Sequence, residues 1–153
     1  LLELNASHRC GVIEMGMNHA GEISRLTRLT RPDVALVNNA GHAHVGMLGS
    51  VEAVAHAKGE IFEGLARTGT AVINADDAHA ALWHKLSCKN HHLTFGLEYK
   101  ADVTARYTLG ASGSEIEFQT AAGSVKTTLV AHPLWRWTSR LVISRKALRI
   151  IKV

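Results

Sequence analysis

Residues 10–15 (C-G-V-I-E-M) and 34–38 (V-A-L-V-N) are short, nearly continuous apolar runs, which predicts two buried strands. Between them, residues 21–30 carry Ile23, Leu26 and Leu29 at three-residue intervals, the stripe of a helix that Pro32 closes. Residues 39–49 read as a loop rich in Gly and His, after which Ser50 is placed to cap a second helix over 51–65. Its apolar positions 51, 54, 55, 61, 62 and 65 again mark one face. Residues 70–74 (T-A-V-I-N) predict a third strand, 76–86 a helix with an acidic first turn, and 92–95 a fourth strand. Parallel strands need a helix to bring the chain back, so this alternation predicts a parallel sheet covered on both faces.

Beyond Tyr99 the period changes to two. Residues 102–109, 115–120 and 124–130 alternate apolar and polar side chains around Gly-containing turns at 110–113 and 122–123, the pattern of hairpins. The expected fold class is therefore α/β, a parallel sheet flanked by helices, with a small antiparallel β appendage.

Composition alters this picture at one end only. The 153 residues carry 17 basic and 13 acidic side chains, a formal charge of +4, but six of the basic ones (Arg136, Arg140, Arg145, Lys146, Arg149, Lys152) fall in residues 133–153, where there is no acid. The remainder is mildly acidic, which argues against a nucleic-acid function based on overall charge. As a basic amphipathic helix the tail would suit a membrane surface or nucleic acid. Its two Trp and many Arg, without a turn or cap that fits what precedes them, instead suggest a frame-shifted or non-native end. Domain limits of 1–131 and 132–153 follow. No apolar run approaches the roughly 20 residues of a membrane span. The start at Leu1 shows no leader pattern, and the chain reads as an excerpt of something longer. Cys10 and Cys88 lack metal-type spacing and read as structural thiols in a reducing, cytoplasmic setting.

The residues that carry chemistry cluster at strand ends. Lys58 follows Val51, Val54 and Ala55 at helical spacing, so it lies on the apolar stripe. Either it snorkels past the helix edge or it is a desolvated amine of lowered pKa. Glu14 ends the first strand, where open α/β sheets place ligands, as a magnesium-binding carboxylate or a solvated one. The stretch V-N-N-A-G-H-A-H at 37–44 resembles a site-forming loop. A zinc site built on His42 and His44 lacks a helical partner or Cys cluster, and His8, His56, His79, His84, His91 and His92 read as surface histidines. In Asn74-Ala75-Asp76-Asp77, helix capping by Asn74 or Asp76 accounts for the residue types. Neither G-x-x-x-x-G-K-[ST] nor G-x-G-x-x-G occurs.

Taken together, V-I-E-M-G-M-N-H-A-G-E-I at 12–23, R-P-D-V-A-L-V-N-N-A at 31–40, A-K-G-E-I-F at 57–62 and N-A-D at 74–76 resemble the central, P-loop NTPase-like ATPase domain of the Mur ligases. The likeness covers residues 8–130 and leans toward the members that add D-Ala-D-Ala over a sister ligase adding another residue. It implies an ATP-dependent amide ligase of peptidoglycan synthesis, in which UDP-MurNAc-tripeptide becomes an acyl phosphate and the D-Ala-D-Ala amine displaces phosphate.

By the same resemblance, Glu14 ligates a first magnesium ion, His44 a second, and Lys58 is the lysine that becomes a carbamate and thereby a metal ligand. Asn74 contacts adenine, and Asn18, His19, Asn38 and Asn39 lie near the reacting groups. The phosphate loop and UDP-sugar domain of the family are expected before Leu1, so the excerpt is expected to be inactive by itself, a truncated and non-catalytic product. A cytoplasmic monomer without nucleic-acid partners is implied. Two departures stand out. Gly46 replaces the acid of the usual H-L-E-G-F-G-S, and Pro133-Leu134-Trp135-Arg136-Trp137 replaces a P-G-R-H-N type motif.

Overall fold

The computed structural model describes residues 8–110, 113–129 and 149–152. Strands β1 (Gly11–Glu14), β2 (Val34–Val37), β3 (Thr70–Asn74) and β4 (His91–Phe95) belong to one parallel sheet, as the alternation predicts. Their order contains a fifth strand. A segment from the basic tail, β8 (Arg149–Lys152), lies between β1 and β2 and pairs in parallel with both, Ile150 standing opposite Val12 and Val34. This part of the tail is thus a strand rather than a helix, in keeping with the β-branched pair Ile150-Ile151. The rest of the expected atypical tail, residues 130–148 and 153, lies outside the described residues.

Helices α1 (Glu22–Thr30), α3 (Val51–Gly59) and α4 (Ala80–Leu86) connect successive strands, and a short α2 (Val45–Leu48) forms within the Gly- and His-rich segment. Ser50 caps α3 as expected, its Oγ accepting from the Ala53 N–H at 3.1 Å. The predicted 51–65 helix changes at Gly59 into a 3₁₀ turn, Glu60–Gly64. Packing against α1 explains the change, because the Thr27 hydroxyl donates to the Ile61 carbonyl at 2.7 Å and occupies an acceptor that a continuing α-helix would use. Gly64 then approaches the Thr27 backbone so closely that a Cβ would overlap its carbonyl. Gly64→Ala is expected to destabilise the protein by about 1–3 kcal/mol through overpacking, read as a lowered urea midpoint.

The main core joins Ile23, Val54, Ala55, Ile61, Phe62 and Trp83 from the helical layer to Ala35, Val37, Ala71 and Ile73 of the sheet. The opposite sheet face carries a smaller cluster of Val34, Leu36 and Val72. Among the described residues the helices pack on the first face alone. Both faces of β2 and β3 are nonetheless buried, whereas β1, at the edge of the sheet, is only half-buried, with Val12 70% exposed.

Strands β5 (Thr104–Gly110), β6 (Gly113–Thr120) and β7 (Gly123–Leu129) form the expected antiparallel appendage. It is tied to β4 by backbone hydrogen bonds from Val103 N–H to the Thr94 carbonyl and from Gly96 N–H to the Val103 carbonyl. Cys10 and Cys88 are both exposed.

Candidate active site

The carboxyl ends of β1, β2 and β3 place Glu14, Asn38 and Asn74 along one rim of the parallel sheet. Met15 and Met17 bury their side chains in the core as the chain leaves β1. The chain leaving β2 passes through Asn39 and His44 to α2, and His44 adopts a left-handed backbone with φ of 69°. Such a conformation costs a residue with a Cβ roughly 1–3 kcal/mol and is concentrated at functional sites. Lys58 stands on α3 between buried neighbours, half-buried itself, and its Nζ donates to the Asn39 carbonyl at 2.7 Å. That contact draws the amine toward the rim, as the apolar stripe suggests. A cavity of about 180 Å³ opens there, lined by Glu14, Met15, Gly16, Met17, His44 and Lys58.

The cleft therefore offers one carboxylate, one imidazole and one amine. Among the described residues no three His, Cys, Asp or Glu side chains gather as a metal-binding group. Magnesium is commonly held by one or two carboxylates, with water and substrate phosphate completing its shell, and Glu14 fits that demand. Lys58 as an amine does not, and only an anionic derivative of it would.

Asn18 and His19 do not line the cavity. Their backbone N–H groups are held by the Glu22 carboxylate, at 2.7 and 3.3 Å, which fastens the loop after Met17 to the first turn of α1. These bonds, the one from Asn18 foremost, lower the Glu22 pKa below its ordinary 4.5. A depressed carboxylate pKa stabilises the folded loop above the unfolded value and loses that contribution as pH falls through the folded value. Protection of the Asn18 and His19 amides from exchange, relative to their intrinsic rates, is expected to fall below pH 4.5, and Glu22→Gln to abolish that pH dependence while lowering protection at neutral pH.

Asn74 is tied into the same rim. Its Nδ2 donates to the Asn38 carbonyl at 2.9 Å and its Oδ1 accepts from the Asp76 N–H at 2.9 Å.

A family description, Mur ligase middle domain, matches residues 1–133. The chain belongs to the Mur ligase family. It is 39% identical over 131 residues to the UDP-N-acetylmuramoyl-tripeptide--D-alanyl-D-alanine ligase of Haemophilus influenzae, covering 84% of this chain and 28% of that protein. It is 40% identical over 131 residues to the protein of the same name from Escherichia coli K12, covering 84% and 29%. Among solved structures, MurF from Acinetobacter baumannii superposes with a TM-score of 0.79 at 30% identity, over 84% of this chain and 28% of that one. MurF ligase from Thermotoga maritima in complex with ADP gives 0.63 at 25% identity, over 72% and 26%. The chain thus spans less than a third of the length of these relatives.

Within this Mur ligase domain, several polar residues do work that sequence spacing does not reveal. Asp77 was expected in a helical first turn but precedes α4. Its Oδ2 accepts from the Ala40 N–H at 2.8 Å and its Oδ1 from the His79 N–H at 2.8 Å. It thereby fastens the loop whose Asn39 carbonyl holds Lys58. Asp76 caps no helix either, because its carboxylate accepts from the N–H groups of Leu97, Glu98 and Tyr99. These pulls delay α4 to Ala80, so neither Asn74 nor Asp76 plays the capping part expected of it. Glu60 accepts from the N–H groups of Gly21 and Ser24, at 2.7 and 3.1 Å, and serves as the cap that α1 lacks locally. Only the acids themselves were visible beforehand, since apart from His79 their partners lie 21 to 39 residues away.

The histidines expected on the surface divide. His79 is largely buried, its Nδ1 3.2 Å from Asp77 Oδ1 with side-chain exposures of 19% and 11%. His84 and His92 meet ring to ring.

Proposed function

We propose that this chain is the ATP-binding domain of a ligase that joins D-Ala-D-Ala to UDP-MurNAc-tripeptide through an acyl phosphate. The observation that supports it best is the shared cleft of Glu14, His44 and Lys58 at the sheet rim, in a domain similar over 131 residues to ligases of that name. The likeness to a diaminopimelate-adding ligase, with a TM-score of 0.55 at 28% identity, is weaker and favours the D-Ala-D-Ala reading over the sister one.

In this reading ATP is bound with two magnesium ions, which neutralise charge on the transferring phosphoryl group. Glu14 would hold one ion and His44 take part in holding the other. Lys58, turned inward by the Asn39 carbonyl, would as a carbamate exchange a repelling positive charge for anionic oxygens beside them. Asn74 keeps one amide hydrogen and one lone pair beyond its bonds to Asn38 and Asp76, enough to read the edge of a purine. Asn38 and Asn39 shape the rim through their carbonyls, and Asn18 and His19, exposed beside the cleft's entrance segment, would meet substrate there.

UDP-MurNAc-tripeptide and D-Ala-D-Ala would be received by other parts of the ligase, working as a cytoplasmic monomer. No described helix is long and apolar enough to cross a membrane. These 153 residues contain no G-x-x-x-x-G-K-[ST] loop for the triphosphate, so turnover by them alone is not expected. The experiment is therefore a chimera in which residues 8–130 replace the matching segment of the E. coli ligase. Phosphate release that requires ATP, UDP-MurNAc-tripeptide and D-Ala-D-Ala together is the expected result. A folded chimera without such release would overturn the reading.

A further inference from the structure

On the far side of the sheet from β1, the end of α4 meets the edge strand β4, and two imidazoles face each other there. His84 Nδ1 lies 3.2 Å from His92 Nδ1, the rings meeting edge to face at 80°. The proton positions follow from Ser87. Its single hydroxyl proton is donated to the Trp83 carbonyl at 2.7 Å, so toward His92 its Oγ can only accept. His92 Nε2 lies 2.9 Å from that Oγ and 3.0 Å from the Ser87 carbonyl, two acceptors, and must carry the hydrogen. The neutral His92 ring then presents a lone pair at Nδ1, toward His84.

We propose that His84 and His92 form a binding site for a divalent zinc-class cation, coordinated by their two Nδ1 atoms with water in the remaining positions. Three features carry it. A tetrahedral ion bound at about 2.0–2.1 Å from each nitrogen sets them about 3.3 Å apart, close to the spacing already present. Metal-binding histidines usually donate the other ring N–H to a backbone carbonyl, as His92 does to Ser87, and this fixes the tautomer that leaves Nδ1 open. The Asp102 carboxylate also adds negative charge nearby, which favours a bound cation. Asp102 is held by the Thr94 N–H and hydroxyl, two residues beyond His92 on β4. Among the described residues no third His, Cys, Asp or Glu completes a cluster, which leaves the outer positions to solvent. The exposure of His92 gives water that access. The site is separate from the Lys58 cleft, and its test does not depend on ligase activity.

The test is a titration of the 153-residue chain with zinc chloride, followed by calorimetry and by NMR of the histidine rings. One zinc ion per chain is expected, with shifts concentrated on His84 and His92. His84→Gln and His92→Gln are each expected to weaken binding at least about tenfold, and His56→Gln, at an exposed position outside both sites, to leave that binding unchanged. Absence of zinc binding, equal affinity in the His84→Gln/His92→Gln double variant, or shifts confined to other histidines would each overturn the proposal. Should the Gln variants fail to fold, the wild-type ring shifts alone decide.

Discussion

Lys58→Ala in the chimera is expected to lower kcat/KM by roughly 10²–10³-fold, the loss typical of removing one preorganised charge-stabilising group from a phosphoryl- or acyl-transfer site. The side chain is half-buried, bonded to the Asn39 carbonyl and part of the wall shared with Glu14 and His44. Removing it therefore deletes a group in the cleft without opening the core behind it. Lys58→Arg should be nearly as damaging, because a guanidinium cannot become a carbamate and brings a fixed positive charge to the cation site. Steady-state phosphate release at saturating ATP measures both. An Ala variant within threefold of the parent would place the chemistry elsewhere.

The largest expected effect on stability is at Trp83. Its ring is fully buried in the main core, and its Nε1–H donates to the Ala55 carbonyl at 2.9 Å. Trp83→Ala empties the contact between α3 and α4 and leaves the Ala55 carbonyl without that donor. The expected cost is about 3–5 kcal/mol, a large part of the stability of an ordinary domain. Urea unfolding followed by circular dichroism measures it. Trp83→Phe should cost less, because it keeps most of the packing and loses the hydrogen bond. A midpoint for Trp83→Ala equal to the parent's would contradict the assignment of the core.

Particular residues show how far the sequence could be read. The alternation of V-A-L-V and T-A-V-I with helical stripes placed β2, α1, α3 and β3 because burial on one face leaves a local, periodic trace. Lys58 was legible for the same reason, as a charged residue out of place on an apolar stripe. The position of β8 was not legible, since pairing between residue 150 and residues 12 and 34 leaves no local pattern. Nor was the late start of α4, which follows from Asp76 reaching to residues 97–99 and Asp77 to Ala40. The His84–His92 pair combines residues eight apart that only the return from α4 into β4 brings together. Distant polar pairing explains most of what was missed at the site as well. Glu14 and His44 could be nominated separately, but the cleft they share with Lys58 depends on how α3 packs against the sheet.

The central claim is that Glu14, His44 and Lys58 act together on bound cations. Anomalous diffraction from crystals of the chimera, grown with manganese in place of magnesium and a non-hydrolysable ATP analogue, tests it most directly. The account predicts manganese peaks within bonding distance of Glu14 and His44, with density for a carbamate extending from Lys58 Nζ toward them. Manganese bound only by phosphate and water, with Glu14 and His44 out of reach and an unmodified Lys58 amine, would contradict it.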